Sequence, residues 1–361
     1  MKIMLLHAPD PLVRELSRRG HEVLSCNTIQ RPSTNVPAEP VGMIPVRYSN
    51  FGGRKKISPK AIRCVAEHIR VFQPDVLHAF SPSALAWGIL GSTGIRTRPK
   101  IISFRGITRS LRRLDPAEWV TYLSPSVARH ACESQAVMDA MLKSGVSRDK
   151  CDVVYNVHWD FDLKKTAEAW RSEWKIDRDD WVIGTVASVR PVKGIDLLVE
   201  AAIRMCDLPK WRLVIVGTVD DPKVARLCKR PELAGRIVLA GHCHNAPSAM
   251  KAFDVFAMPS RSEGLCRALI EAMTLGICPV VSAAGGMKEL VRNEQDGLVV
   301  PIEDISGLHQ ALRRLYRDEQ LRRRFADSAM DHVQTLCSPT IVAKKLEGMY
   351  LATSKTLARC A

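Results

Sequence analysis

Apolar residues along this chain fall in short unbroken runs rather than in alternation with polar ones. In the second half, WVIGTVAS, RLVIVG, RIVLAG, VFAMPS, CPVVSA and GLVVP follow one another, mostly separated by segments of helix length. Runs of this kind suit parallel strands covered on both faces. The first half reads the same way, less cleanly. KIMLL leads into the helical PLVRELSRRG and then HEVLSC. A Pro-rich loop covers Arg31 to Pro45, and a helix spans about Pro59 to Phe72. DVLHAF, KIISF, the helical SQAVMDAMLKSG and DVVYN complete it. Strand–helix alternation throughout predicts α/β architecture with doubly wound, Rossmann-like sheets.

A chain of 361 residues exceeds what one core usually serves, so two domains are expected. The strand pattern breaks between Asn156 and Trp181, where HWDFDLKKTAEAWRSEWKIDRDD is polar and rich in tryptophan. The expected division is a Rossmann-like domain over 1–158, a linker over 159–175, a second Rossmann-like domain over 176–336, and a final helix over 337–361 that packs back toward the first domain. Within 308–325 the run ALRRLYRDEQLRRRF places Leu308, Leu312 and Leu315 on one face and arginines on the other, as in an amphipathic surface helix.

Composition is that of an ordinary globular protein, 46% hydrophobic and 25% charged. No apolar run reaches membrane-spanning length. The opening MKIMLLHAPDPLVREL has too short an apolar stretch for a signal peptide and reads as a first strand. Eleven cysteines without a C-x-x-C pair fit free thiols in a reducing compartment. GHCHN, Gly241 to Asn245, offers poor metal-binding spacing, and no metal is expected.

The net charge of +15 points to an anionic partner. Between Val76 and Leu114 there is no acidic residue, while Arg96, Arg98, Lys100, Arg105, Arg109, Arg112 and Arg113 fall in the same stretch. A solvated basic face and an anion-binding surface both fit it. A nucleic-acid binder fits poorly, because aromatics do not interleave with the basic residues.

The stretch SRSEGLCRALIEAM, Ser260 to Met273, carries Glu263 and Glu271. VFAMPS ends at this point, so Glu263 sits in the turn at a strand's carboxyl end and Glu271 inside the following helix, whose start lies near Leu265 or Cys266. Open amides at a helix start accept an anionic group. A carboxylate accepts both hydroxyls of a diol. Two such acceptors around a donor patch match a ligand with hydroxyls at its ends and phosphates between, the outline of a nucleotide sugar. By spacing alone, Glu263 as a helix cap and Glu271 on a wet face fit equally. Two further turns shift the balance. SVRPVKGIDLL brings Arg190 and Lys193 to the same rim, and SAAGGMKEL brings Gly285 and Gly286, which let a ligand approach the backbone.

With these motifs in place, the chain resembles glycosyltransferase family 4 (group 1), retaining enzymes with the GT-B fold of two Rossmann-like domains facing across a cleft. The resemblance is nearly continuous from Trp181 to Pro301. It is looser in the first half, the acceptor side, through PDVLHAF, ESQAVMDAMLKSGV and VVYNV. It implies that Glu263 contacts the donor sugar, Glu271 holds the ribose and Lys193 grips the diphosphate, aided by the amides of Gly264, Leu265 and Cys266. Gly285 and Gly286 would line the donor site, and Glu289 would cap its helix or reach the nucleotide. The reaction implied is transfer of a sugar from a nucleoside diphosphate, UDP or GDP, to an acceptor hydroxyl with retained configuration. It needs no cofactor or metal, and the leaving phosphate takes the acceptor proton. The acceptor implied is a glycan or lipid-linked group, with an anionic one as an option, as in lipopolysaccharide, capsule or other envelope glycan synthesis. The protein would be cytoplasmic, with peripheral contact to the inner face of the plasma membrane as an option.

The chain departs from the family pattern at three places. Ser188 stands where the diphosphate arginine is usual, with Arg190 two residues on as its substitute. Arg105-Gly106 stands in place of a His-Gly near the donor sugar, and Arg cannot serve as a base. HAPDPLVREL turns directly into a helix without a Gly-rich loop. On the acceptor side His78, Arg105 and Arg109 are the candidates, with a structural role for His78 equally open. The other readings are a nucleotide-sugar-binding protein with degenerate catalysis and a GT-B-fold epimerase.

Overall fold

In a computed structural model, residues 1–27, 47–50, 58–157 and 161–355 are described; the Pro-rich stretch Arg31 to Pro45 lies outside them. Two compact units result. One joins Met1–Trp159 to Ser338–Ala361, and the other spans Asp160–Cys337.

The first unit holds a seven-stranded parallel sheet. Its strands are β1 (Lys2–Leu6), β2 (Glu22–Asn27), β3 (Arg47–Asn50), β4 (Val76–Ala79), β5 (Lys100–Arg105), β6 (Val127–Cys132) and β7 (Cys151–Val153), in the order β3-β2-β1-β4-β5-β6-β7. Strands β1 and β4 are buried almost throughout, as expected of runs with helices on both faces. On one face Leu77 and Met4 pack with Val65, Ile69 and Trp87 of the helices Pro59–Phe72 and Pro82–Gly91. On the other, Ile3 and Leu5 pack with Leu12 and Leu16 of helix Asp10–Arg18 and with Val342, Leu346 and Tyr350 of helix Pro339–Lys355. Glu347 of that last helix accepts hydrogen bonds from Arg19 and from His21 Nε2, the latter at 2.9 Å.

Strand β6 escapes the sequence pattern because VARHAC carries Arg129 and His130 in its middle. Both side chains meet polar groups of the neighbouring strands. Arg129 Nε lies 2.9 Å from Asp152 of β7, and His130 Nδ1 bonds Ser103 Oγ of β5 at 2.7 Å. Burial pushes the His130 imidazole down to about 4, so it sits in the sheet as a neutral group.

The second unit has six parallel strands, β8 (Trp181–Val186), β9 (Trp211–Val216), β10 (Ile237–Gly241), β11 (Val255–Met258), β12 (Cys278–Ser282) and β13 (Leu298–Val300), ordered β10-β9-β8-β11-β12-β13. Each sheet repeats the doubly wound order in which the first strand lies third from one edge and the chain then crosses to the other side. The expected linker over 159–175 does not stand apart. Helix Ala167–Glu173 belongs to the second unit, where Trp170 Nε1 donates to Ser248 Oγ at 3.0 Å and Arg171 pairs with Asp254 at 2.9 Å. Trp174, just past this helix, stacks on Phe253 with ring centres 6.4 Å apart. The run ALRRLYRDEQLRRRF is not one helix either. It breaks at Asp318 into helices Ile305–Arg317 and Glu319–Cys337, with Leu308, Leu312 and Leu315 buried.

Candidate active site

The order of the second sheet reverses between β8 and β11, and open α/β sheets bind ligands beyond the carboxyl ends at such a point. Strands β8, β11 and β12 are consecutive neighbours there, so the turns that leave them share one rim. Lys193, Glu263, Gly285 and Gly286 all lie on these turns.

Backbone conformation brings the turns together. Gly194, after a short 3₁₀ turn Pro191–Lys193, has φ +65°, and a Cβ there would lie 2.0 Å from Pro259 O. Gly285 has φ +52°, and its Cβ would lie 1.7 Å from Glu263 O. Only glycine tolerates both the left-handed dihedral and the close approach. Hydrogen bonds then stitch the turns. Arg261 N donates to Val192 O at 2.8 Å, Gly286 N donates to Gly264 O at 3.0 Å, and Ser282 Oγ donates to Ser260 O.

On this scaffold Lys193 Nζ donates to Glu263 Oε1 at 2.6 Å, and Ser260 Oγ lies 3.0 Å from the same oxygen. The two charged side chains are mostly buried. The ammonium and the carboxylate thus stand side by side at the switch point, one suited to an anion and the other to hydroxyls. Helix Arg267–Thr274 begins next to them. Its N-cap residue is Cys266, whose thiol makes no cap hydrogen bond. Leu265 and Cys266 are buried, and burial pushes the Cys266 thiol up to about 12, so it stays neutral. Gly276 closes the helix with φ +68°.

Glu271 is largely buried on the same helix. Burial raises its carboxyl above the usual range, and Arg267, 3.8 Å away, only partly offsets this. It is not the wet-face residue that spacing alone allows. Glu289 is half-buried on the short helix Met287–Leu290, its amide bonded to Gly286 O at 3.0 Å. Ser188 and Arg190 are both exposed. Among the described residues the Arg190 guanidinium has no ion-pair partner, while its carbonyl accepts Lys193 N at 2.8 Å.

One pair in this site was not expected from sequence. Arg261 sits bidentate on Asp196 at 2.8 and 2.9 Å, and also bonds Pro191 O and Glu303. It braces the Lys193 turn against the Glu263 turn. Burial alone would raise the Asp196 carboxyl, but the bonds from Arg261 and Lys223 bring it down to about 2. The signal was present in KGID and SRSEG, where an acid and a base flank the two key residues. By spacing, Asp196 reads simply as a first-turn acid on its helix.

The acceptor-side expectations on the first unit need correction. His78 does not face outward. It is fully buried, its Nδ1 2.8 Å from Tyr350 Oη and its ring 4.2 Å from that of Phe80. Burial pushes it down to about 3. Below about pH 6.5 the unfolded chain takes up a proton that buried His78 resists, so stability falls as pH drops toward 3, by up to about 1.4 kcal/mol per pH unit. The replacement His78→Asn should flatten the fall of Tm between about pH 6 and 4; an unchanged slope would contradict the burial. Arg105 is likewise buried. Its guanidinium lies 4.6 Å from the centre of the Tyr122 ring and donates to Arg109 O, so it shapes the loop after β5 rather than meeting a ligand. Arg109 is exposed, 3.6 Å from Glu118. His7, which the sequence reading did not single out, ends β1 with φ +62° and bonds Ser81 Oγ at 2.8 Å.

Among the described residues no group of three metal-ligating side chains is assembled, and His242 and His244 pack edge to face at 4.8 Å. Among them, too, no helix is long and apolar enough to cross a membrane.

Comparison with known proteins agrees with this layout. The profile of the glycosyl transferases group 1 matches residues 166–332, and that of glycosyltransferase family 4 matches residues 11–157. The lipopolysaccharide core biosynthesis mannosyltransferase LpsB of Rhizobium meliloti is 31% identical over 36% of this chain and 39% of its own. This chain therefore spans about two fifths of the length of that first curated relative. A GDP-mannose-dependent alpha-mannosyltransferase of Mycobacterium tuberculosis is 26% identical over 79% of this chain and 74% of its own. The crystal structure of a glycosyltransferase from Rickettsia africae superposes with a TM-score of 0.78 at 17% identity, covering 98% of both chains, which establishes a shared fold.

Proposed function

Because the chain belongs to glycosyltransferase family 4, the group 1 glycosyltransferases, and has their GT-B fold, we propose that it transfers a hexose from a nucleoside diphosphate to an acceptor hydroxyl with retained anomeric configuration. The observation that carries this reading is the Lys193–Glu263 contact at the switch point, beside the start of helix Arg267–Thr274. Lys193 neutralises the diphosphate and stabilises the charge that develops on it as the glycosidic bond breaks. When the ammonium turns to phosphate, Glu263 is released to accept sugar hydroxyls. Arg190 adds a second cation from the same turn, in the role that Ser188 cannot fill, and Glu271 takes the ribose diol. The acceptor hydroxyl attacks from the face the phosphate leaves, and the phosphate receives its proton, so no protein nucleophile, metal or cofactor takes part. The acceptor is an envelope glycan or its lipid-linked precursor, the class named for the lipopolysaccharide-core relative.

GDP-mannose is the first donor to test, on the name of the relative that aligns over most of the chain, with UDP-hexoses second. The test is a thermal-shift series with UDP, GDP, ADP and dTDP. The nucleotide of the true donor at 100 times its Kd should stabilise the protein by about 2.7 kcal/mol. Glu271→Gln should remove most of that gain. The same replacement should raise the Tm of the unliganded protein at neutral pH. The fold holds this carboxyl protonated to higher pH than the unfolded chain does, so its ionisation costs stability as pH rises through the carboxylate range, and an amide avoids that cost. If no nucleotide stabilises the wild type, the donor reading fails and a protein with a degenerate centre remains.

A further inference from the structure

The basic stretch from Arg96 to Arg113 is not one loop. Strand β5 runs through it, with Lys100 at its amino end and Arg105 at its carboxyl end. Arg96 and Arg98 precede the strand, and Arg109, Arg112 and Arg113 lie in the segment that follows it.

The group after the strand has a second property. Leu114 is 99% exposed, and Ile107 and Trp119 are each 49% exposed. These apolar side chains are not on a slack loop. Leu111 is buried, and its amide bonds Ser144 Oγ at 2.9 Å. Arg105 holds Arg109 O from below, and Trp119 Nε1 donates to Arg113 O at 2.7 Å. The nearby acids are turned inward: Asp115 caps the helix Pro116–Trp119 through Ala117 N, and Glu118 is buried beside Arg109. The segment therefore presents, in a fixed arrangement, an apolar tip, an indole whose N–H is already satisfied, and the exposed guanidiniums of Arg112 and Arg113.

We propose that residues 107–119 form a docking surface for an anionic lipid bilayer, with Leu114 and Trp119 entering the interface and Arg112 and Arg113 meeting the headgroups. A protein partner would need shape around the tip, and Leu114 stands free of any groove. A soluble polyanion would need only the arginines and gains nothing from an exposed leucine. A bilayer uses both: single apolar side chains insert singly, indoles settle at the headgroup level, and each nearby cation adds about 1 kcal/mol of attraction. The proposal concerns the first unit alone and does not depend on the donor reading.

Co-sedimentation of the full chain with phosphatidylcholine vesicles, with and without phosphatidylglycerol, tests it. Binding is expected only with the anionic lipid. Arg112→Gln and Arg113→Gln should each weaken it about fivefold, from the attraction per cation just given. The double replacement Leu114→Ser, Trp119→Ser should weaken it about tenfold or more, and Leu114→Ser alone, at a fully exposed side chain, should weaken it while Tm stays unchanged. Lipids brominated in the acyl chain should quench tryptophan emission in the wild type and less in Trp119→Phe. No binding to anionic vesicles would overturn the proposal. So would binding that Leu114→Ser, Trp119→Ser leaves intact, which would show a surface for anions in general; heparin binding carried by the arginines alone would be its signature. Stabilisation by nucleotide is measured on the other unit, so failure here and failure of the donor reading are separable.

Discussion

Lys193→Ala is expected to lower kcat/KM for the donor by about 10²–10³-fold, the loss typical when one group that stabilises developing transition-state charge is removed. In this site Lys193 is held 2.6 Å from Glu263 and its turn is pinned by Arg261 and Gly194, so its ammonium has a fixed place beside the carboxylate. The replacement also leaves a mostly buried carboxylate with Ser260 as its nearest donor, a stability cost of about 1–3 kcal/mol. Steady-state rates must therefore be read well below the Tm of the variant. Lys193→Ala combined with Glu263→Gln separates the two effects, because it removes the orphaned charge and should recover stability without recovering rate. A loss of less than tenfold in the single variant would place the diphosphate elsewhere, with Arg190 the first residue to try.

The second large effect should come from a position with no chemistry of its own. Gly285→Ala puts a methyl group where Glu263 O lies 1.7 Å away, in a left-handed conformation that alanine disfavours. The backbone strain costs about 1–2 kcal/mol and the forced repacking a further 1–3. The expected result is a Tm several degrees lower, together with a large loss of activity, because the group that must move is the main chain of Glu263 itself. Gly235→Ala is the control. It too has a positive φ, but a Cβ there meets nothing within 4 Å, so only the backbone strain remains. If both variants lost stability equally and Gly285→Ala kept its activity, the tight contact between the turns would not matter to the site.

Much of the second unit was legible because its strands are buried on both faces and therefore read as unbroken apolar runs. All six were marked by their sequence, and so were the turns that carry Lys193, Glu263 and Gly285. Where polar residues enter a strand the signal fails. Arg129 and His130 hide β6, since the polar groups they meet, Asp152 and Ser103, come from the neighbouring strands. The same limit misplaced His78. A histidine near a strand end looks available until Tyr350, distant in sequence, is seen to cover it.

Local pattern was thus enough to specify a doubly wound α/β chain, its break near residue 160, and three ligand-friendly turns, because burial periodicity, glycine and helix starts are properties of neighbours in sequence. Three things needed the tertiary structure. Arg261 braces Asp196 across two turns, Arg105 is buried rather than presented, and the basic residues after β5 stand beside an exposed leucine and a half-exposed tryptophan. Each depends on which side chain occupies the space beside another. Strand order and packing settle that, and the spacing of residues along the chain does not record it.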